Sequence, residues 1–291
     1  MGDKVTFIGF GEAGRAFATG WAGAAPSAFD IISGDPGQRS AQLMAYDRAG
    51  VMGHESAATA LRGASAAFCV VTADQALIAA RDYAPLLAAG ALWLDMNSVA
   101  PDTKRAAAAA IEAAGGRYVD VAVMAPVHPA ARAVPLLLSG PHADEAEELL
   151  VGCGFSNVRK AGTEIGRASA IKMVRSVLVK GLEALTAECV LAAEVAGVCD
   201  EVLASLDASW RETSWTERAD YNLDRMIVHG LRRAAEMDEV VKTLDALGTG
   251  SAMARATAER QRDIGKRHLR SPAGLGPKIE AVLANGRDQA A

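Results

Sequence analysis

The stretch Val5-Thr6-Phe7-Ile8-Gly9-Phe10-Gly11-Glu12-Ala13-Gly14 decides the fold, because it joins an apolar run to three glycines spaced G-x-G-x-x-G. Residues 5–10 predict a short buried strand, and residues 12–23 predict the helix that follows it. Glycine at these places lets the chain turn tightly, lets the backbone approach a pyrophosphate, and lets the helix pack on the strand. The stretch therefore predicts a dinucleotide-binding loop, with a tight turn that binds nothing as the alternative. The residues expected to contact the cofactor are Gly9, Phe10, Gly11, Glu12, Ala13 and Gly14.

An acidic residue follows the second predicted strand, which covers residues 29–33. Asp35 stands about 20 residues beyond the glycines, where a carboxylate binds the ribose hydroxyls of NAD and repels the 2′-phosphate of NADP. We therefore predict NAD as the cofactor. NADP is the alternative, because Arg39 and its neighbours at 38 and 40 could bind a 2′-phosphate, and Asp35 could simply begin the turn at Pro36-Gly37.

Strands and helices alternate through the first half of the chain. Apolar runs predict further strands at residues 66–71, 91–95, 118–123 and 134–139, with helices at residues 38–50, 74–84 and 101–114. This alternation is typical of an α/β domain in which helices cover both faces of a mostly parallel sheet. We therefore predict an N-terminal, doubly wound Rossmann domain over residues 1–161.

The second half of the chain predicts helices throughout. Residues 164–196 contain no proline and place apolar residues at helical spacing, which predicts one helix roughly 50 Å long. A helix of that length is too long for a crossover between strands and suits a connection between domains. Residues 200–283 continue the helical pattern. We therefore predict an all-helical domain over residues 162–291, joined to the Rossmann domain by the long helix.

The composition disfavours several classes of function. The chain has 291 residues and a net charge of -5, without a long Lys/Arg run, which disfavours nucleic acid or an anionic membrane as a partner. We expect no signal peptide, because Gly9 and Gly11 interrupt the first apolar run, and no apolar run reaches the roughly 18–20 residues that a membrane span needs. The four cysteines lack the spacing of metal ligands and are typical of reduced thiols. We expect a cytoplasmic protein that binds a small-molecule substrate and no metal.

Two polar loops follow predicted strands at the same edge of the sheet. They read Thr72-Ala73-Asp74 and Asp95-Met96-Asn97-Ser98. Because open α/β sheets bind ligands outside the carboxyl ends of their strands, we expect Thr72, Ala73 and Asn97 to contact the nicotinamide half of the cofactor. Helix N-capping by Thr72, Asp74 and Ser98 is the alternative explanation for these polar side chains.

One lysine stands among small and apolar residues near the start of the long helix. This residue, Lys172, lies in the segment Gly162–Ser176, whose small residues allow the backbone to approach a ligand closely. An amine that is partly removed from water beside a cofactor can exchange a proton near neutral pH. A lysine that extends along a helix flank into solvent is the alternative.

Four segments together resemble the β-hydroxyacid dehydrogenase family, which includes 3-hydroxyisobutyrate, tartronate semialdehyde and 6-phosphogluconate dehydrogenases. They are the glycine loop, Asp95–Ser98, Asp120–Val127 and Gly162–Ser176. The resemblance is greatest to the branch with a phosphogluconate-dehydrogenase-like C-terminal domain. It implies hydride transfer between NAD(P) and a small β-hydroxy acid or related hydroxy compound, with Lys172 as general acid–base. It also implies a homodimer formed through the helical domains.

The chain departs from the family pattern around the substrate. The motif Asp-x-Pro-Val-Ser-Gly-Gly reads here Asp120-Val121-Ala122-Val123-Met124-Ala125-Pro126, and Ser176 replaces an asparagine. A late lysine of the family corresponds to Met237. The catalytic centre therefore matches the family, whereas the groups that hold the substrate carboxylate do not. The resemblance and the helical patterns give the expected substrate contacts as Ser98, Met124, Ala125, Ser176 and His229.

His229 is included because it stands with Arg232, Arg233 and Glu236 at helical spacing, and the face it shares with Arg233 and Glu236 could reach the substrate. The alternative is a salt-bridged face that is solvated or turned toward a dimer partner. A pair of tryptophans, Trp210 and Trp215, could line an aromatic pocket or simply pack in a core. Two other functions stay open. One is oxidative decarboxylation of the 6-phosphogluconate type, whose acid glutamate corresponds here to Val179, and the other is a non-catalytic dinucleotide sensor.

Overall fold

The computed structural model describes residues 4–21, 23–209 and 214–287. The chain divides into two compact units, Met1–Val177 and Leu178–Ala291. All strands that the structure describes belong to the first unit, and the regular elements described in the second are helices. This arrangement confirms the predicted class, an α/β Rossmann region followed by a helical region.

The sheet of the first unit has eight strands within the described ranges. In chain order they are β1 (Val5–Ile8), β2 (Ser27–Phe29), β3 (Met52–Gly53), β4 (Ala66–Cys69), β5 (Leu92–Asp95), β6 (Arg117–Val123), β7 (Leu136–Ser139) and β8 (Val158–Gly162). Across the sheet the order is β3-β2-β1-β4-β5-β6-β7-β8, and only the β6–β7 pair is antiparallel. The chain moves outward from β1 to β3 and then crosses back to β4. Ligands of such sheets bind at this switch point, outside the carboxyl ends of β1 and β4.

The strands at the centre of this sheet are buried on both faces. Phe7 and Phe68 belong to one core cluster, whereas the residues that follow them, Ile8 and Cys69, belong to the other. Successive side chains of a strand point to opposite faces, so each face needs an apolar residue and the strand sequence becomes continuously apolar. The helices of this unit are α1 (Glu12–Ala18), α2 (Arg39–Ala49), α3 (Ala57–Leu61), α4 (Ala76–Tyr83), α5 (Pro101–Ala113) and α6 (Ala143–Gly152).

The second strand differs from the prediction of residues 29–33. β2 ends at Phe29, and residues Ile31–Gly34 form a 3₁₀ helix instead. Asp30 causes this turn, because its side chain accepts the N–H of Ile32 and its carbonyl oxygen accepts the hydroxyl of Ser33. Asp30 thus stands at the carboxyl end of β2, and Asp35 lies beyond the 3₁₀ helix.

The long helix α7 covers Arg167–Val195, close to the predicted 164–196. It begins only at Arg167 because Gly166 has φ +93°, a left-handed conformation that an α-helix does not contain. The predicted domain boundary at 161/162 coincides with the end of β8. The compact sheet unit nevertheless extends to Val177, so it includes the first three turns of α7.

The second unit continues with α8 (Cys199–Ser209), α9 (Trp215–Leu247), α10 (Ala252–Gly265) and α11 (Leu275–Arg287). A capping box between Ser214 and Glu217 starts α9. α9 and α10 touch at glycines, since a Cβ atom on Gly230 would lie 2.5 Å from the carbonyl oxygen of Gln261. No helix among the described residues is both long and apolar enough to cross a membrane.

Candidate active site

A cleft of about 730 Å³ opens at the switch point of the sheet unit. It brings together ten of the predicted site residues, which are Gly9, Gly11, Glu12, Ala13, Thr72, Ala73, Asn97, Ser98, Ala125 and Lys172. These residues come from the turns after β1, β4, β5 and β6, from the start of α1 and from α7. The side chains of Phe10, Asp35, Met124 and Ser176 lie elsewhere, and His229 belongs to the other unit.

The three glycines of the loop differ in what a side chain at their positions would meet. Gly9 has φ +88°, and a Cβ atom there would lie 2.7 Å from the carbonyl oxygen of Val70. A Cβ atom on Gly14 would lie 2.9 Å from the carbonyl oxygen of Gly9, so Gly14 allows α1 to pack against the turn. A Cβ atom on Gly11 would meet nothing within 4 Å. Gly11 therefore leaves an open surface at which a phosphate group can approach the backbone.

Phe10 packs in the core and anchors the loop through its backbone. Its ring is completely buried, and its backbone N–H donates a hydrogen bond of 2.6 Å to Oδ2 of Asp30. Asp30 lines the cleft and was missed by the sequence interpretation, which treated it as the interior of a longer strand. The signal that could have found it is its position directly after the apolar pair Ala28-Phe29.

Asp35 is an exposed residue that closes its own turn. Its carboxylate accepts hydrogen bonds from the Gln38 side chain at 2.7 Å and from the Gly37 N–H at 2.9 Å, and these bonds lower the pKa of Asp35. The alternative interpretation of Asp35, as the first residue of a turn, describes this geometry. Arg39, the predicted alternative ligand of a 2′-phosphate, forms an ion pair with Glu55.

The loop after β5 is organised by the buried carboxylate of Asp95. Its Oδ1 accepts both the backbone N–H of Asn97, at 3.0 Å, and the side-chain amide of Asn97, at 2.8 Å. This contact fixes which way the amide faces. Asn97 Oδ1 is buried and has no partner among the described residues, although Asn97 lines the cleft. The same amide donates to Cys69 Sγ, and burial raises the pKa of the Cys69 thiol to about 12.

Lys172 reaches this loop from α7. Its Nζ donates a hydrogen bond to Oγ of Ser98, which is exposed at the cleft. Ser98 is therefore a partner of the lysine rather than a helix cap, and α5 begins after Ala100 without a side-chain cap. The Ser176 hydroxyl donates to the carbonyl oxygen of Lys172 at 2.9 Å, so it contacts the helix backbone and not the lysine amine.

The remaining predicted substrate contacts are distributed differently. Met124 packs against a small core cluster with Ala122 and Leu137, whereas its neighbour Ala125 is exposed in the cleft. His229 lies in α9 beside a groove that it shares with His268 in the helical unit. Trp210 and the side chains of Trp215, Arg232 and Glu236 lie outside the described residues.

Lys104 is a second lysine near this site that the sequence did not single out. It is completely buried in α5, and its Nζ donates to Oδ1 of Asp95 at 2.9 Å. The hydroxyl of Tyr118 donates to the other oxygen of the same carboxylate at 2.7 Å. Burial and the nearby Asp95 charge raise the pKa of Tyr118 well above its usual range, so the hydroxyl keeps its proton.

Comparison with known sequences gives two family matches. Residues 4–151 match the family described as the NAD binding domain of 6-phosphogluconate dehydrogenase. Residues 193–264 match a domain of unknown function, DUF1932. The first match covers just over half of the chain, including the glycine loop, Asp30 and the Asp95–Ser98 loop.

Solved structures of similar proteins span the whole chain. A conserved hypothetical protein from Sinorhizobium meliloti 1021 is 35% identical, with a TM-score of 0.61 over 97% of this chain and 96% of that one. A conserved protein of unknown function, described as structurally similar to 3-hydroxyacid dehydrogenases, is 28% identical, with a TM-score of 0.57 over 93% of this chain and 100% of that one. An imine reductase from Streptomyces aurantiacus, at 19% identity, has a TM-score of 0.68 over 96% of this chain and 99% of that one, which shows a shared fold alone.

The Rossmann sheet, the glycine loop at its switch point and the family match over residues 4–151 define an NAD(P)-binding protein of the oxidoreductase class. The chain belongs to the β-hydroxyacid dehydrogenase family. Its NAD-binding domain is of the 6-phosphogluconate dehydrogenase type, and a DUF1932 region follows that domain. The resemblance recognised in the sequence is thereby confirmed.

Proposed function

We propose that this protein oxidises a small β-hydroxy acid, or a related hydroxy compound, or reduces the corresponding carbonyl compound, with Lys172 as the general acid–base. The observation that carries the proposal is the hydrogen bond from Lys172 Nζ to Ser98 Oγ in a cleft bordered by the glycine loop. An amine at this place can take the proton of a substrate hydroxyl during oxidation and return it during reduction. Ser98 orients the amine by accepting one of its hydrogens.

The residues of the cleft fit a nicotinamide dinucleotide. Gly11 is open toward the cleft and Gly9 holds the tight turn, so the loop can accept a pyrophosphate against its backbone. The side-chain carbonyl oxygen of Asn97 is buried and lacks a hydrogen-bond donor among the described residues. A hydroxyl or amide group of a ligand would supply such a donor. When bound, the nicotinamide ring supplies the chemistry of hydride transfer. The chain's own contribution is to orient the ligands and move the proton.

The charges of the cleft support a preference for NAD. Asp30 stands at the end of β2, and each oxygen of its carboxylate retains a lone pair beside its bond to Phe10 or Ile32. Such an oxygen can accept a ribose hydroxyl, and its charge repels a 2′-phosphate. Arg39 is occupied by Glu55. We therefore transfer the role first predicted for Asp35 to Asp30, and NADP stays the alternative.

The two alternative functions make different demands on the chain. Oxidative decarboxylation of the 6-phosphogluconate type uses a glutamate where this sequence has Val179, which counts against it. A non-catalytic sensor would bind the cofactor without needing a lysine at Ser98. Imine reduction is a third chemistry, and Lys172 counts against it, because the imine-reducing relatives of the family generally lack this lysine.

A substrate panel distinguishes these functions. Purified protein would be incubated at constant pH with NAD or NADP and with 3-hydroxyisobutyrate, D-glycerate, phenylserine or 6-phosphogluconate. Formation of the reduced cofactor would be followed by its absorbance. We expect turnover with a hydroxy acid and NAD, and turnover that is slower by about 10²–10⁴-fold in Lys172→Ala. Cofactor binding without turnover on any member would favour the sensor, and carbon dioxide release would favour the decarboxylase. Activity in Lys172→Ala equal to that of the native protein would contradict the proposed mechanism.

A further inference from the structure

Three charged side chains form a fully buried cluster in the first unit. They are Asp95 at the end of β5, Lys104 in α5 and Asp120 in β6. Lys104 Nζ donates to the carbonyl oxygen of Asp95 at 2.6 Å and to its Oδ1 at 2.9 Å. The same Nζ lies 3.4 Å from Oδ1 of Asp120. One ammonium group therefore joins two carboxylates that belong to neighbouring strands.

Stability alone is a weak reason for such a cluster. Charged groups lose their hydration when they are buried, and apolar side chains of similar volume are often equally stabilising or better. The cluster also holds two negative charges against one positive charge, so the carboxylates depend on further donors. The position of those donors indicates what else the cluster does.

The donors to Asp120 come from the first turn of α7. Oδ2 of Asp120 accepts the backbone N–H of Ser169 at 3.0 Å, and Oδ1 accepts the Ser169 hydroxyl at 2.6 Å. Ser139 in β7 accepts the N–H of Ala168 at 2.9 Å and donates to Asp120. The first N–H groups of a helix have no partner within it. Here the sheet supplies these partners and holds the start of α7.

The donors to Asp95 come from the loop that carries Ser98. Oδ1 of Asp95 accepts both the backbone and the side-chain N–H of Asn97. Ser98 follows directly, and its hydroxyl accepts the Lys172 amine. Asp95 therefore holds one side of the lysine–serine contact, and Asp120 holds the other.

We propose that Lys104 and Asp120 are positioning residues, which keep the first turn of α7 and the Ser98 loop at a fixed separation so that Lys172 stays in contact with Ser98. The inference rests on the proposed role of Lys172 in proton transfer. Lys172 lies three residues after Ser169, about one helical turn further along α7. A displacement of about 1 Å at such a site can lower the rate about 100-fold.

Ser169→Ala tests this connection at a single hydrogen bond, and it leaves the buried charges paired so that the variant should fold. We expect kcat to fall about 10- to 100-fold on the fastest substrate of the panel, while KM and the NAD dissociation constant stay within about twofold. Hydrogen exchange of the first-turn amides of α7 should become faster, which mass spectrometry measures without substrate. A folded Ser169→Ala variant with native kcat overturns the inference.

Thr6→Val is the matched control for a general loss of stability. The Thr6 hydroxyl is buried in β1 and donates to the carbonyl oxygen of Ala60 at 2.8 Å, without contacting α7. This variant also removes one buried hydroxyl hydrogen bond, but to a neutral backbone carbonyl rather than to a carboxylate. We expect a fall in the thermal midpoint that is no larger than that of Ser169→Ala, with native kcat. An equal loss of kcat in Thr6→Val and Ser169→Ala would overturn the inference.

A double variant separates this inference from the proposed function. If Lys172→Ala keeps the native kcat, the proposed function itself fails. If Lys172→Ala is impaired, adding Ser169→Ala should change the residual rate by less than about twofold, because the contribution of Lys172 is already lost. An equal fractional loss in both backgrounds would overturn the positioning role and leave the role of Lys172 intact. Asp120→Asn should repeat the pattern of Ser169→Ala with a larger loss of kcat.

Discussion

Lys172 on α7 donates a hydrogen bond to Ser98 on the loop after β5, although 74 positions separate the two residues in the chain. The contact joins two of the four sequence segments that carry the resemblance to β-hydroxyacid dehydrogenases. It also places an amine and a hydroxyl together in the cleft that the glycine loop borders. The first prediction follows from this pair.

Lys172→Ala should lower the rate of hydride transfer by about 10²–10⁴, the usual size of a general acid–base contribution. Cofactor affinity should stay nearly native, since the pyrophosphate would be held by the glycine loop. Lys172→Arg should restore little, because a guanidinium group keeps its proton at any working pH. Stopped-flow absorbance measures the transfer step and isothermal titration the affinity. A native rate in the alanine variant would exclude Lys172 as the proton-transfer residue.

The second prediction concerns Asp30 and the choice of cofactor. The native protein should bind NAD more tightly than NADP. Asp30→Asn should lower the ratio of NAD to NADP affinity by about tenfold or more, because a hydrogen bond to a charged group contributes about 1.5–3 kcal/mol. Asp35→Asn is the control and should leave the ratio unchanged, since that side chain closes its own turn. Isothermal titration with both cofactors measures the ratio, and tighter binding of NADP by the native protein would contradict the prediction.

The third prediction concerns the buried charge of Lys104. Lys104→Met should lower the free energy of unfolding by about 3–5 kcal/mol, because it leaves two buried carboxylates without their cation. Lys160→Met is the control, since Lys160 pairs with Asp144 at the surface and such pairs contribute about 0–1 kcal/mol. Urea unfolding followed by circular dichroism measures both values. Equal effects of the two substitutions would show that the buried ion pairs of Lys104 stabilise the fold no more than a surface ion pair does.

The fourth prediction concerns pH and the start of α9. Hydrogen bonds from the side chain and then the backbone of Ser214 lower the pKa of Glu217. A carboxylate whose pKa is lower in the folded state adds stability above its unfolded pKa, and this contribution is lost as pH falls through the folded pKa. Glu217→Gln should therefore weaken the acid dependence of unfolding below about pH 4.3. The comparison is a pair of thermal midpoints measured from pH 3 to 7, and identical slopes would contradict it.

The fifth prediction concerns assembly. We expect at least a homodimer formed through the helical region, where exposed apolar side chains include Leu191, Val195, Val198, Leu203 and Leu206. Large exposed apolar areas are typical of interaction surfaces. Light scattering at micromolar concentration should give at least twice the mass of the chain. Leu203→Glu should weaken the assembly, whereas Val151→Glu in the sheet unit should not. A monomeric native protein would contradict the prediction.

The sequence predicted the parts of the site that depend on short-range pattern. Gly9, Gly11 and Gly14 were recognisable because a strand, a turn and a helix follow one another within ten residues. Lys172 was predicted through the resemblance to the β-hydroxyacid dehydrogenases, because the local pattern of a lysine among small helical residues fits a lysine on a helix flank equally well. The sequence did not predict that Asp30 borders the cleft, because the same apolar residues fit a strand that ends at Phe29 or one that ends at Ser33. The turn that Asp30 makes with Ile32 decides between them.

The sequence by itself determined that a parallel sheet with a glycine loop precedes a helical region, since the periodicity of apolar residues and the glycine spacing are local properties. The tertiary structure alone decided the partners of the buried charges. Lys104 lies in an alanine-rich segment, where a lysine would ordinarily extend into solvent, and nothing nearby in the sequence identifies Asp120 as its neighbour. Only the pairing of β5 with β6 and the packing of α5 bring these groups together. A buried charge takes its partners from whichever strands lie beside it in the folded sheet, and sequence distance does not constrain that choice.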